Sequence, residues 1–512
     1  MAEAGTSENE HQVPTGTTTQ GVWLAASGEE LRYTSEAAWT ALRDEHDEPI
    51  ADVFSVSYLA GHAGPGHHGL GRPVTFVFNG GPGASSAYLH VGALGPRRVA
   101  FDDRGSALAP PTALVDNTES WLPFTDLVFV DPVGTGWSRA ATDRSKGPKP
   151  VAPTDPATGG DAAPDPKAFF GINKDLDSLV EVMTRWLSSH DRWSSPVYVA
   201  GESYGGFRAA KLARLANERG IGLSGTILIS PALELALLDP SDYDVLPWVD
   251  LVPTMALAAH HHGRSQAYPK EAASATVRAG AEHFATGPYA RALIRGASMP
   301  PEERDQVVTR LSELIGLAPD VVARHECRVS ATRFARELLR DRGEVVGLYD
   351  AAAVGRDPFP DRDGMAWPDP TLGGIERVFN AGINARLRTE LGVQTDREYR
   401  LLSMAVHNDW KIDFERHALE TQVGATDDLR YGMALNPHMR VFLTHGLFDM
   451  VTPYFASERI RNLLRLDDQT ATALTVQHFE GGHMFYAWER SRIAFTEAIT
   501  AFYDGSASRI RH

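Results

Sequence analysis

A serine between glycines, Gly201-Glu202-Ser203-Tyr204-Gly205, carries the plainest chemistry in the sequence. It follows the apolar run Val-Tyr-Val-Ala at 197–200 and precedes the helical pattern Phe-Arg-Ala-Ala-Lys-Leu-Ala-Arg-Leu from residue 207. A Gly-x-Ser-x-Gly step from strand to helix makes a sharp turn that lifts the serine Oγ above the sheet. Glycines are required on both sides because a Cβ there strikes the neighbouring strand and helix. Outside that context the five residues read as a tight turn with an incidental serine. Within it, Ser203 is the candidate nucleophile.

A serine hydroxyl attacks only when a base removes its proton and a third group orients the base. With an elbow of this kind the acid and then the histidine follow later in the chain. Asp449 stands just past the apolar run 440–445, and His483 follows the pair Gly481-Gly482 just past the run 473–479. A lone Asp or His at a strand end is ordinarily a surface or capping residue. In this order, on consecutive strand ends, Asp449 and His483 complete a triad with Ser203. The rival acids Asp467 and Asp468 sit in a turn between elements, and the rival base His478 sits inside a strand run. An oxyanion needs two N–H donors, one from the residue after the nucleophile and one from a glycine-rich loop after an earlier strand. Tyr204 supplies the first, and Asn79-Gly80-Gly81-Pro82-Gly83 is the source of the second.

The elements that must position these residues follow from apolar periodicity. Runs at 74–78, 126–130, 197–200 and 226–230 are short, continuous and bounded by glycine or proline, as in strands buried on both faces of a parallel sheet. Between two of them, residues 174–190 repeat Leu176, Leu179, Val180, Met183 and Leu187 at helical spacing. Strands alternating with helices predict an α/β fold with a mostly parallel central sheet. From 236 to 438 strand signals fade and helical ones dominate, which predicts a large helical cap over the sheet's ligand-binding edge. The expected division is a disordered tail at 1–18, a core at 19–235 plus 439–512, and the cap at 236–438. Residues 146–167, crowded with proline and glycine, read as an exposed loop.

Composition narrows the partners. The 512 residues hold 49 Lys+Arg against 66 Asp+Glu, a net charge of −17, which disfavours nucleic acid and anionic membrane surfaces. Cys327 is the single cysteine, so no intrachain disulfide forms and a reducing, cytoplasmic setting is expected. The first residues show neither a basic start nor an apolar core of a secretory signal. His260-His261-His262 point in different directions on a helix, and no Cys/His/acid set has zinc-like spacing, so neither a metal nor another cofactor is expected. Composition carries no signal for an oligomeric state.

Five segments together resemble the serine carboxypeptidases: FNGGPGASS at 78–86, VFVDPVGTGWS at 128–138, GESYGG at 201–206, THGLFDMVTP at 444–453 and GGHMF at 481–485. The resemblance implies an α/β-hydrolase fold and release of C-terminal residues from peptide substrates through an acyl-enzyme. It maps nucleophile, acid and base onto Ser203, Asp449 and His483, and the oxyanion donors onto the Gly81 and Tyr204 N–H groups. It also implies an anchor for the substrate's terminal carboxylate at Asn79, Gly80 and Glu202, and activity favoured in acid. Met484 and Phe485 match positions that line the family's site.

Two departures stand out. Family members pair the glutamate before the nucleophile with a second one, and its position here is Ala93. Glu202 then has only desolvation to hold its proton, which moves the expected optimum toward neutral pH. His90, one helical turn earlier, is an alternative carboxylate partner, and a satisfied polar histidine is the plainer reading. The family's cysteine beside the glycine loop is Ala84. Ala93 also opens a second reading, a serine hydrolase of another specificity: an esterase, an acyltransferase or a proline-releasing aminopeptidase. A third is an idle hydrolase fold used for binding, and an intact triad and oxyanion loop argue against it.

Overall fold

The computed structural model describes residues 13–61, 71–141, 166–238, 241–362, 369–412 and 423–510. The tail expected at 1–18 lies outside them as far as residue 12, but Thr17 and Thr18 already stand in a strand. The proline-rich stretch 146–167 lies outside them up to residue 165.

Among the described residues, ten strands form the main sheet: β1 (Thr17–Leu24), β2 (Glu30–Arg43), β3 (Pro49–Ala60), β4 (Val74–Phe78), β5 (Asp126–Val130), β6 (Arg139–Ala140), β7 (Val197–Glu202), β8 (Leu223–Ile229), β9 (Arg440–Thr444) and β10 (Leu474–Val476). The order is β1-β2-β3-β5-β4-β7-β8-β9-β10, with the two-residue β6 paired to β3. From β5 to β10 every pairing is parallel, and β1, β2, β3 and β5 are joined antiparallel. The parallel strands read as continuous apolar runs because both faces are covered. Along β5, Leu127 and Phe129 enter one core while Val128 and Val130 enter the other.

On one face lie α1 (Ile172–Ser189), through Leu176, Leu179, Met183 and Leu187, and α2 (Tyr204–Glu218), through Phe207, Ala210 and Leu212. The other face is covered by the C-terminal helix Glu489–Ile510 through Phe495, Ile499 and Phe502. A mostly parallel sheet with a Gly-x-Ser-x-Gly turn between a central strand and its helix is the α/β-hydrolase fold.

The excursion between β8 and β9 is mainly helical, but it divides by what it packs against. The helices Leu246–His261, Ser274–Phe284 and Pro301–Ile315 build a core of their own, which also takes in Phe448, Met450 and Tyr454 from after β9. The helix Leu372–Asn384 instead buries Ile375, Phe379 and Ile383 in the core beneath the sheet. The helix Thr426–Leu435 lies on α2, where a Cβ at Gly432 would sit 2.5 Å from Ala213 O. Among the described residues, no helix is long and apolar enough to cross a membrane.

Candidate active site

Ser203 sits where β7 meets α2 with φ 60° and ψ −124°, a conformation that L-residues avoid and functional turns tolerate. The turn is held by Ser203 N donating to Ile229 O at 3.0 Å and by Ser203 O accepting from Gly206 N at 2.9 Å and Ala232 N at 3.1 Å. A Cβ on Gly201 would lie 1.8 Å from Gly205 O, and one on Gly205 would lie 2.4 Å from Phe78 O. These are the collisions that the glycines avoid.

Asp449 follows β9 and is fully buried. Its Oδ2 lies 2.7 Å from His483 Nδ1 and 2.6 Å from Thr452 Oγ1, while Oδ1 accepts from Val451 N at 2.8 Å and Thr452 N at 3.0 Å. Acceptance from His483 Nδ1–H leaves Nε2 as the basic nitrogen. Burial alone would lower the His483 pKa, but the charge and hydrogen bond of Asp449, with help from Glu202, more than offset it, and the imidazole is held above its ordinary 6.5. Ser203 and His483 line one cavity with Asn79, Gly80, Gly81, Glu202 and Met484.

The glycine loop after β4 presses on the elbow. A Cβ at Gly80 would come 2.5 Å from Tyr204 N and 2.9 Å from Ser203 Cβ. The loop's amides and the first amide of α2 therefore lie beside Ser203, at a helix N-terminus that favours negative charge. From α2, Arg208 reaches back, donating from Nη1 to Asn79 O at 2.6 Å while its Nε and Nη2 form a two-pronged pair with Asp175 of α1 at 2.7 and 3.2 Å. Asn79 is thereby fixed, and its Oδ1 also accepts from Leu89 N at 3.0 Å.

Asn79 Nδ2 donates to Glu202 Oε2 at 2.6 Å. Tyr486, two residues past Met484, lies 3.0 and 2.9 Å from the two oxygens of Glu202. Burial pushes the Glu202 carboxyl up to about 7 even though His483, Tyr486 and Asn79 pull the other way. His90 plays no part in this group. Its Nε2 lies 2.6 Å from Tyr58 OH, its ring stacks on Phe129 at 4.3 Å, and burial holds its pKa well below 6.5. Ala93 is buried in the core, its carbonyl accepting from Asn117 Nδ2 at 2.7 Å.

The remaining candidates separate cleanly. Met484 lines the cavity, whereas Phe485 is wholly buried against Phe479 and Phe495. Asp467 caps a four-residue helix by accepting from Gln469 N and Thr470 N, with Asp468 as that helix's first residue, and His478 pairs with Glu458 at 3.2 Å. His260 and His262 each bond a backbone carbonyl, and His261 packs on Phe448. Among the described residues no group of three or more His, Cys, Asp or Glu could hold a metal.

Sequence reasoning missed two residues. Tyr486 carried a signal, a polar-tipped aromatic three residues past the base. Tyr349 carried none, since it lies in the helical excursion. Its carbonyl accepts from His483 N at 2.5 Å and its ring stands edge-on to the imidazole at 5.3 Å. The segment around it forms a strap, with Leu348 O accepting from Met450 N at 3.0 Å and Ala351 N donating to Phe448 O at 2.9 Å.

Comparison with known proteins gives three findings. Residues 67–233 match the model of a family described as serine carboxypeptidase. That span includes Asn79, Gly81, Glu202, Ser203 and Tyr204, while Asp449 and His483 lie beyond it. Among curated relatives, serine carboxypeptidase-like 5 of Arabidopsis thaliana is 32% identical over 136 residues, covering 26% of this chain and 25% of that protein. A pheromone-processing carboxypeptidase of Yarrowia lipolytica is 30% identical over 161 residues, covering 31% of this chain and 21% of that protein. The chain thus spans between about a fifth and a third of the length of the curated relatives it matches. Among solved structures, a proline iminopeptidase of Mycobacterium smegmatis superposes with a TM-score of 0.36 at 12% identity, over 93% of this chain and 99% of that one.

Proposed function

We propose, from the match of residues 67–233 to the serine carboxypeptidase family, that this chain is a serine hydrolase that releases C-terminal residues from peptides through an acyl-enzyme. Ser203 Oγ attacks the carbonyl of the last peptide bond as its proton passes to His483 Nε2. Asp449 keeps His483 in the useful tautomer and stabilises the imidazolium. The Gly81 and Tyr204 N–H groups receive the oxyanion. His483 then protonates the departing amine, and a water activated by the same imidazole hydrolyses the acyl-enzyme.

The observation that carries the carboxypeptidase reading is the buried Asn79–Glu202 pair beside the nucleophile. A carboxyl held protonated up to about 7 donates a hydrogen bond to an incoming carboxylate, which an ionised one repels. Asn79 and the Gly80 N–H add neutral donors to the same anchor.

A matched pair of blocked dipeptides, one a free acid and one a C-terminal amide, tests the reading across about pH 4 to 8. Preference for the free acid below neutral pH is the expected result. Equal rates at every pH reduce the function to serine hydrolysis of another specificity, the reading that Ala93 favours. Ser203→Ala is expected to abolish both turnover and labelling by a fluorophosphonate, and full activity in that variant would refute the mechanism.

A further inference from the structure

The resemblance implies a second glutamate beside Glu202, where this chain has Ala93, and in the structure a phenol lies against Glu202 instead. Tyr486 is fully buried on the short turn Phe485–Ala487 that follows the His483 loop, and its hydroxyl lies within 3.0 Å of both Glu202 oxygens. The wall from which a second carboxyl would come is the turn His90–Leu94, which contains Ala93. That wall is packed against the tyrosine: a Cβ at Gly92 would sit 3.2 Å from Tyr486 Cε2 and 2.8 Å from Phe379 Cε1. Gly92 is small where the tyrosine ring needs room.

We propose that Tyr486 is a positioning and specificity-determining residue of this site: its phenol orients the Glu202 carboxyl by a permanent hydrogen bond and sets the upper pH limit of selectivity for a free C-terminal carboxylate. The inference rests on the carboxypeptidase reading for its substrate, and on geometry alone for the Tyr486–Glu202 contact.

The two devices differ in sign. A second carboxylic acid shares a proton with the first and repels it once ionised, so it keeps the pair protonated. A phenol carries its proton throughout the working range, because burial and the neighbouring carboxyl push Tyr486 well above 10. It therefore donates to Glu202 in both states and favours the carboxylate. The other titratable groups facing Glu202 are His483, which also favours the carboxylate, and Asp449, which opposes it. Tyr88 and Tyr349 line the same cavity and are themselves held neutral by burial, with the Glu202 charge adding to the effect. Burial thus holds the proton on Glu202, and Tyr486 limits how far up in pH it stays.

Tyr486→Phe keeps the ring and removes only the hydroxyl. The readout is the ratio of kcat/KM for the free acid to that for the matched amide, followed across pH, so that any general loss of activity cancels. Loss of a donor to a charged acceptor is expected to move the alkaline fall of this ratio up by about one pH unit. An unmoved or lowered fall overturns the proposal and leaves Tyr486 a space-filling ring. An infrared titration, with Glu202→Gln identifying the carboxyl band, separates two kinds of failure. A wild-type ratio flat across pH sinks the carboxypeptidase reading and the specificity role with it. A Glu202 band whose midpoint is the same in wild type and Tyr486→Phe sinks the hydrogen-bonding role even if the ratio behaves.

Discussion

Replacing Asp449 by asparagine tests the orientation of His483 with almost no change of shape. Oδ1 of Asp449 accepts two backbone N–H groups, from Val451 and Thr452, so the amide oxygen of the new side chain keeps that side. Its NH2 then takes the place of Oδ2, 2.7 Å from His483 Nδ1. Thr452 accommodates this, because its hydroxyl also reaches Ser230 O at 3.0 Å and can accept from the new NH2 while donating there. His483 Nδ1 becomes an acceptor, the proton moves to Nε2, and that nitrogen can no longer take the serine's proton. With the tautomer inverted and no carboxylate to stabilise the imidazolium, kcat is expected to fall by roughly 10³- to 10⁴-fold. KM for the blocked dipeptide should change little, since the group removed acts mainly in the transition state. The residual activity should also extend to lower pH: His483 is held above 6.5 partly by Asp449, and without that charge it is deprotonated at lower pH. Steady-state hydrolysis at several pH values reads all three. A variant that keeps more than about a tenth of wild-type kcat would refute the reasoning.

The free acid and amide substrates should give differently shaped pH profiles. His483 acts as a base only above its raised pKa, so both rates fall toward acid, and Glu202 loses its proton around 7, so the free acid alone also falls toward alkali; a free-acid rate that climbs steadily into acid contradicts this. Ser203→Gly places the one residue that tolerates φ 60° at the elbow, and chemical denaturation should show a gain of about 1 kcal/mol alongside lost activity; an unchanged or lower stability would show that the elbow stores no strain. Arg208→Ala leaves Asp175 buried without its cation and frees the Asn79 carbonyl, with an expected loss of ~3–5 kcal/mol in the same assay and a raised KM for free-acid substrates. A loss below about 1 kcal/mol would place that pair among the unimportant ones.

The parallel half of the sheet was legible because most of its strands are continuous apolar runs buried on both faces, and runs of that length are too short for a buried helix. The antiparallel strands β1 to β3 were not. In β2 the buried positions Tyr33, Ala37 and Leu42 share the pattern with a buried Ser35 and an exposed Ala38, which blurs the alternation. In the site, the residues with motif-bound backbone geometry, Asn79, Gly80, Gly81, Glu202, Ser203 and His483, could be read from sequence and stand around one cavity. Tyr349 could not, because its role comes from distances across the fold that no local pattern encodes, and Tyr486 was marked only by its place three residues past His483. His90 shows the converse. Sequence spacing put it near the missing glutamate, but the ring turns into the core to meet Tyr58 and Phe129.

The strap Leu348–Ala351 has a consequence for how the protein comes into being. It contacts the loops of both Asp449 and His483, so His483 is seated by a part of the chain that lies between Ser203 and Asp449 in sequence. A ribosome makes Ser203 first, then the helical excursion, then Asp449, and His483 last of these, while folding proceeds from the N-terminal side. On the proposed mechanism, Ser203 therefore gains an oriented base only when the strap has docked between the loops of Asp449 and His483.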